Sequence, residues 1–137
     1  MAALTFVDTS GFYALLVKSD EHHAEAVRWL SEAKAKGVAA VTTDYVVDET
    51  VTLLQARGCR HLVAVFLDSI LTSKACRLEW IGEDRFLKAR TFFLKHDDQG
   101  FSFTDCVSFV VMKELGARDA LTKDSHFDQV GFRRLLQ

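Results

Sequence analysis

The amino-acid sequence predicts an α/β protein, a three-layer α/β/α sandwich built on a central parallel sheet. Three observations carry that expectation. Short apolar, strand-prone runs alternate with stretches of helical spacing from end to end, the pattern of a chain that lays each new strand parallel to the last. The first two runs stop at residues that cap helices, Asp8-Thr9-Ser10 and Thr42-Thr43-Asp44, so each strand feeds a helix. Proline is absent, which suits a chain of helices and short turns. The 137 residues are long enough to bury a real core, and no linker, repeat or low-complexity stretch divides them, so residues 1–137 are expected to form one domain.

Leu4, Phe6 and Val7 mark the first strand, and Phe12, Leu15 and Leu16 follow at helical spacing. Ser19-Asp20-Glu21 offers a cap and an acidic first turn to a helix whose Ala24, Val27, Leu30 and Ala33 share a face, and Gly37 ends it. Val38-Ala39-Ala40-Val41 is the second strand. Residues 45–56 return to helical spacing, with Val47, Val51 and Leu54 in step. Gly58 breaks the chain before a helix marked by Leu62, Val65, Phe66, Ser69 and Ile70; that apolar face suits the core, with an interface to another protein chain as the other use. Arg77-Leu78-Glu79-Trp80-Ile81 reads as a third strand. Residues 83–95 read as a helix striped by Phe86, Ala89, Phe92 and Phe93, and Asp97-Asp98-Gln99-Gly100 as a polar loop. Ser102 caps a helix carrying Phe103, Val107, Val110, Val111 and Leu115, which Gly116 closes. Ala120-Leu121-Thr122 is a short strand ending at Lys123-Asp124, and residues 132–136 form a last one.

Composition narrows the class. Hydrophobic residues make up 49% and charged residues 26%, the balance of a globular protein and not of a disordered one. A net charge of −2 means that no bulk basic field announces a nucleic-acid binder, although a local basic patch survives any overall balance. Asp8 interrupts the apolar N-terminus and no basic residue precedes it, so neither a signal peptide nor a membrane span is expected there. Cys59, Cys76 and Cys106 are odd in number and far apart, as reduced thiols of a cytoplasmic protein are. Cys59-x-His61 and the adjacent His22-His23 lack the second pair that structural zinc needs. His126 is expected to pack or cap in the final turn.

Four acids stand where a bland protein has no use for them. Asp8 lies at the carboxyl end of a strand just where a helix begins, the edge at which open α/β sheets bind ligands, and Asp124 repeats the arrangement. Glu49 shares a helix face with Tyr45, Val46 and Leu53. Asp105 shares one with Phe101, Phe109 and Met112. Each has a structural use as well: Asp8 as N-cap, Glu49 snorkelling at the helix edge, Asp124 in a turn, and Asp105 in the box Ser102-x-x-Asp105. Read together, four acids without matching cations nearby would repel one another, and a hard divalent cation is the usual remedy.

The segments Val7-Asp8-Thr9-Ser10, Asp48-Glu49-Thr50, Phe103-Thr104-Asp105-Cys106 and Leu121-Thr122-Lys123-Asp124-Ser125-His126-Phe127, in this order and across nearly the whole chain, resemble the PIN domain in its VapC-type toxin ribonuclease form. The resemblance implies a metal-dependent endoribonuclease that leaves 5′-phosphate and 3′-hydroxyl ends. It also implies a homodimer neutralised by a small antitoxin protein. By the same resemblance Asp8, Glu49 and Asp105 match the family's three most constant acids, Asp124 the more variable fourth, and Thr9 the supporting hydroxyl residue. These acids would hold one or two Mg²⁺ or Mn²⁺ ions that activate water and neutralise charge on the scissile phosphate.

RNA has to be held against an acidic site, and Arg57, Arg60, Lys95 and Lys123 are the candidate cations. The alternatives are a PIN domain that processes RNA without being a toxin, or a catalytically silent scaffold that binds RNA or protein. A phosphoryl-accepting receiver domain is excluded because it wants adjacent acids after its first strand, where Asp8 stands alone. A haloacid-dehalogenase-like phosphatase wants a second Asp two residues on, where Ser10 stands.

Overall fold

Strand β1 (Leu4–Val7) is covered on both faces because it runs through the middle of the sheet, the position in which a parallel strand is packed from both sides. A computed structural model of the chain describes residues 3–137. Its five strands, β1, β2 (Ala39–Thr43), β3 (Cys76–Glu79), β4 (Asp119–Leu121) and β5 (Arg133–Arg134), form one sheet in the order β3-β2-β1-β4-β5, every neighbouring pair parallel. The helices are α1 (Thr9–Leu16), α2 (His23–Lys36), α3 (Asp44–Ala56), α4 (Val63–Thr72), α5 (Glu83–Lys95), α6 (Phe103–Leu115) and α7 (His126–Gln129). From β1 the chain builds outward through α1 and α2 to β2, then through α3 and α4 to β3. It crosses back through α5 and α6 to β4 on the other side of β1. Right-handed crossovers in opposite directions put the two helix groups on opposite faces, which is the expected three-layer arrangement.

The order of the strands therefore reverses between β1 and β4, and a crevice opens beyond their carboxyl ends. Asp8 continues the ladder there, its amide donating to the Leu121 carbonyl at 3.2 Å. Gly11 lets α1 sit directly on the end of β4: a Cβ at this position would lie 2.2 Å from the Leu121 carbonyl oxygen. The core beneath is aromatic-rich. Phe127, fully buried, packs on Phe109 and Phe6 with ring centroids 5.1 and 6.4 Å away, and so ties the turn after β4 to β1 and α6.

Several expectations need correction. The α2 stripe is rotated: Ala26 and Ala33 are buried with Trp29 packed beside them, whereas Val27 is 43% exposed and Ala24 is also outside. Small residues let α2 close on α1. The helix also begins later than Ser19-Asp20-Glu21 suggested, because the Asp20 carboxylate accepts the His22 amide at 3.0 Å and makes a turn first. In α3 the buried residues are Val46, Thr50 and Leu54, with Val47 and Val51 half-buried; the Thr50 hydroxyl can be hidden because it donates to the Val46 carbonyl at 2.7 Å. Strand β3 lies one to two residues earlier than expected, since the Ile81 amide leaves the sheet to donate to Asp44 Oδ1 at 3.0 Å and Trp80 is 67% exposed. Phe86 is likewise 42% exposed, and the last strand shrinks to two residues. On α4, Phe66 and Ile70 belong to the core and Val65 to the surface.

Candidate active site

Each of the four acids arrives at the crevice from a different segment. Asp8 occupies the N-cap position of α1, yet its side chain makes no capping bond. Instead Asp8 Oδ2 accepts the hydroxyl of Thr122 at 2.9 Å, from the end of the neighbouring strand. Glu49 lies in the second turn of α3, a helix started by the Thr43 hydroxyl, which accepts the Val46 amide at 3.2 Å. Its Oε1 accepts the Thr9 hydroxyl at 2.6 Å, so α3 is tied to the first residue of α1. Asp105 completes a capping box at the start of α6: its amide donates to Ser102 Oγ and its Oδ2 accepts the Ser102 amide, both at 3.0 Å. Asp124 makes a tight turn after β4, Oδ1 accepting the His126 amide at 2.9 Å. The structural uses of Asp105 and Asp124 are thus real, and so is their convergence.

Burial and mutual repulsion both act on the set. Burial pushes the Asp8 carboxyl up to about 7; the Thr122 hydrogen bond and the Thr9 amide oppose this, and the charges of Asp105 and Glu49 add to it. Burial also raises Asp105, against the Ser102 amide, with the charge of Asp124 adding and that of His126 opposing. Asp8 feels Asp105 and Glu49, and Asp105 feels Asp124, so the four form one electrostatic unit. Asp8, Glu49 and Asp124 line an open cleft of about 470 Å³ together with Thr9, Ser10 and Lys123. Asp105 is buried and does not line the cleft.

The residues missed at the sequence level are hydroxyls and one imidazole. Thr122, fully buried, gives its proton to Asp8 and accepts both the Asp124 amide at 3.0 Å and the Ser10 hydroxyl at 3.1 Å. Ser10 Oγ in turn accepts the Lys123 amide at 3.0 Å. The signal was present in the sequence: a hydroxyl residue two places after Asp8 and another two places before Asp124. His126 does pack, its ring standing edge-on to Phe101 with centroids 5.3 Å apart. It does more than pack or cap, however, since Nδ1 lies 3.1 Å from Asp124 Oδ1 and 3.5 Å from Asp105 Oδ2.

Of the four candidate RNA-binding cations, two lie at the cleft. Lys123 lines it, and Arg57, its guanidinium 5.0 Å above the Tyr13 ring, shares a small adjoining recess with Lys123 and Ser10. Arg60, in the 3₁₀ turn leading to α4, and Lys95, in the last turn of α5, are exposed and line neither space.

The donor chemistry fits a divalent cation. Carboxylate oxygens suit hard ions such as Mg²⁺ and Mn²⁺. Oxygens of Asp105 and Asp124 and Nδ1 of His126 all lie within 4.8 Å of one another, and that nitrogen is buried with no hydrogen-bond partner.

Comparison with known proteins identifies the family and the fold. The PIN domain profile matches residues 5–133. The chain is 36% identical over 130 residues to the Mycobacterium tuberculosis protein named 23S rRNA-specific endonuclease VapC20, covering 94% of this chain and 95% of that one. It is 30% identical over 129 residues to an Archaeoglobus fulgidus VapC ribonuclease, covering 93% of this chain and 80% of the relative. The crystal structure of M. tuberculosis VapC20, described as a sarcin–ricin loop cleaving toxin, superposes with a TM-score of 0.86 at 32% identity over 98% of this chain and all of that one. This chain belongs to the PIN domain family.

Proposed function

We propose that this protein is a VapC-type endoribonuclease that depends on Mg²⁺ or Mn²⁺ and acts as the toxin of a toxin–antitoxin pair. The observation that carries the reading is the meeting of Asp8, Glu49, Asp105 and Asp124, four carboxylates from four segments, at the strand-order reversal of a PIN fold. Those four residues would hold the cation; when bound, it supplies activation of water and charge neutralisation at the scissile phosphate.

The surrounding residues fix the acids in place. Thr122 orients Asp8 from β4, Thr9 orients Glu49 from α1, and the Ser102 amide orients Asp105. Without a cation, Asp8 holds a proton for much of the time near neutral pH and gives it up on loading. Lys123 at the cleft and Arg57 in the recess beside it take the RNA backbone. Pairing with a small antitoxin and homodimerisation belong to the same reading. Exposed apolar side chains such as Leu71, Trp80, Leu87 and Leu94 support a protein partner. A cytoplasmic place of action and a single domain over residues 1–137 complete the proposal; among the described residues no helix is long and apolar enough to cross a membrane.

The test is cleavage of end-labelled RNA, including a fragment carrying the sarcin–ricin loop of 23S rRNA, by purified protein. Cleavage with Mg²⁺ or Mn²⁺, lost on chelation and lost in Asp8→Asn, is the expected outcome. RNA left intact by the wild type with either ion, or cut by Asp8→Asn at the wild-type rate, overturns the proposal.

A further inference from the structure

Resting on that reading of the site, we propose that His126 is itself a ligand of the cation, binding it through Nδ1 beside Asp105 and Asp124, so that the centre has a mixed nitrogen and oxygen donor set. Nδ1 is buried, and its angles make no hydrogen bond to either neighbouring oxygen. A buried polar nitrogen without a partner is costly, and an ion is the partner that two flanking carboxylates call for. The spacing fits as well. Adjacent ligands of an octahedral ion, with bonds of about 2.1 Å, lie about 3 Å apart. Nδ1 stands 3.1 Å from Asp124 Oδ1 and 3.5 Å from Asp105 Oδ2.

The imidazole is also held in that pose before any ion arrives. Its backbone amide is fixed by Asp124 Oδ1, the next residue, Phe127, is anchored in the core, and the Phe101 ring meets it edge-on. Such prior ordering is what a metal ligand needs from its surroundings. A nitrogen ligand shifts preference from Mg²⁺, which favours oxygen, toward Mn²⁺ and later transition metals.

The experiment is pulsed electron paramagnetic resonance on the full chain loaded with Mn²⁺, alongside calorimetric titrations with Mn²⁺ and Mg²⁺. The expected result is ¹⁴N modulation from a directly bound imidazole, altered by ¹⁵N-histidine labelling and absent in His126→Ala. That variant should also lose about tenfold or more in Mn²⁺ affinity and less in Mg²⁺ affinity. Bound Mn²⁺ with no nitrogen coupling in the wild type overturns this inference and leaves the nuclease proposal standing. Coupling that persists in His126→Ala does the same. No Mn²⁺ bound at all would bring down the inference and the metal site together.

Discussion

Asp8 is the residue on which burial weighs most. Its folded-state pKa of about 7 lies above the value of about 3.9 of an unfolded chain, so the native state binds the proton more tightly. Below about pH 4 the group is neutral in both states and costs nothing. The penalty grows as pH rises toward about 7 and is complete above it. Metal-free protein is therefore expected to lose stability over that window, and Asp8→Asn to lose less. Melting curves across pH check this, with a gain of about 4 °C for each kcal/mol relieved at pH 8. Apparent cation affinity should rise with pH over the same range, because loading expels the proton. Thr122→Val removes the hydroxyl that orients Asp8 while keeping the shape of the side chain. Cleavage should fall about 10- to 100-fold, and the melting point should fall as well, because the Asp124 amide and the Ser10 hydroxyl lose their buried acceptor. At this scale the acids were legible because a carboxylate on an apolar helix face or at a strand end is conspicuous. Thr122 and Ser10 were harder to single out, since such a hydroxyl carries no periodic signal and the partners that reveal them, Asp8 for Thr122 and Thr122 for Ser10, lie more than a hundred residues away.

Among the elements, the seat of α1 on β4 matters most to the site. Only glycine fits at position 11, with the Leu121 carbonyl where a side chain would begin. Gly11→Ala should cost about 1–3 kcal/mol in urea unfolding by forcing helix and strand apart. It should also lower cleavage, because the same shift separates Asp8 and Ser10 from Thr122. Helix positions were readable from spacing, but which face turns inward was less so. In α2 two alanines won the inner face over Val27, because closeness to α1 required small residues there. The end of β3 was misplaced for a similar reason. Asp44, thirty-seven residues upstream, takes the Ile81 amide out of the sheet, and apolar pattern alone has no access to that partner.

For the molecule as a whole, alternation of strand and helix sufficed to predict the parallel sheet and its three layers. Strand order was another matter, since β4 could have joined the sheet at either edge or beside β1. Its place beside β1 brings Thr122 against Asp8 and puts Asp124 on the same cleft as Asp8 and Glu49. The four acids are held by hydroxyls and backbone amides. Positive side chains are left at the rim, where Lys123 and Arg57 can meet RNA phosphates. Diffraction at the manganese absorption edge from Mn²⁺-soaked crystals puts the central claim to the test. An anomalous peak among Asp8, Glu49, Asp105 and Asp124 is the expected result. At saturating Mn²⁺, a crevice with no such peak and the four carboxylates unmoved on their hydroxyl and amide partners would contradict it.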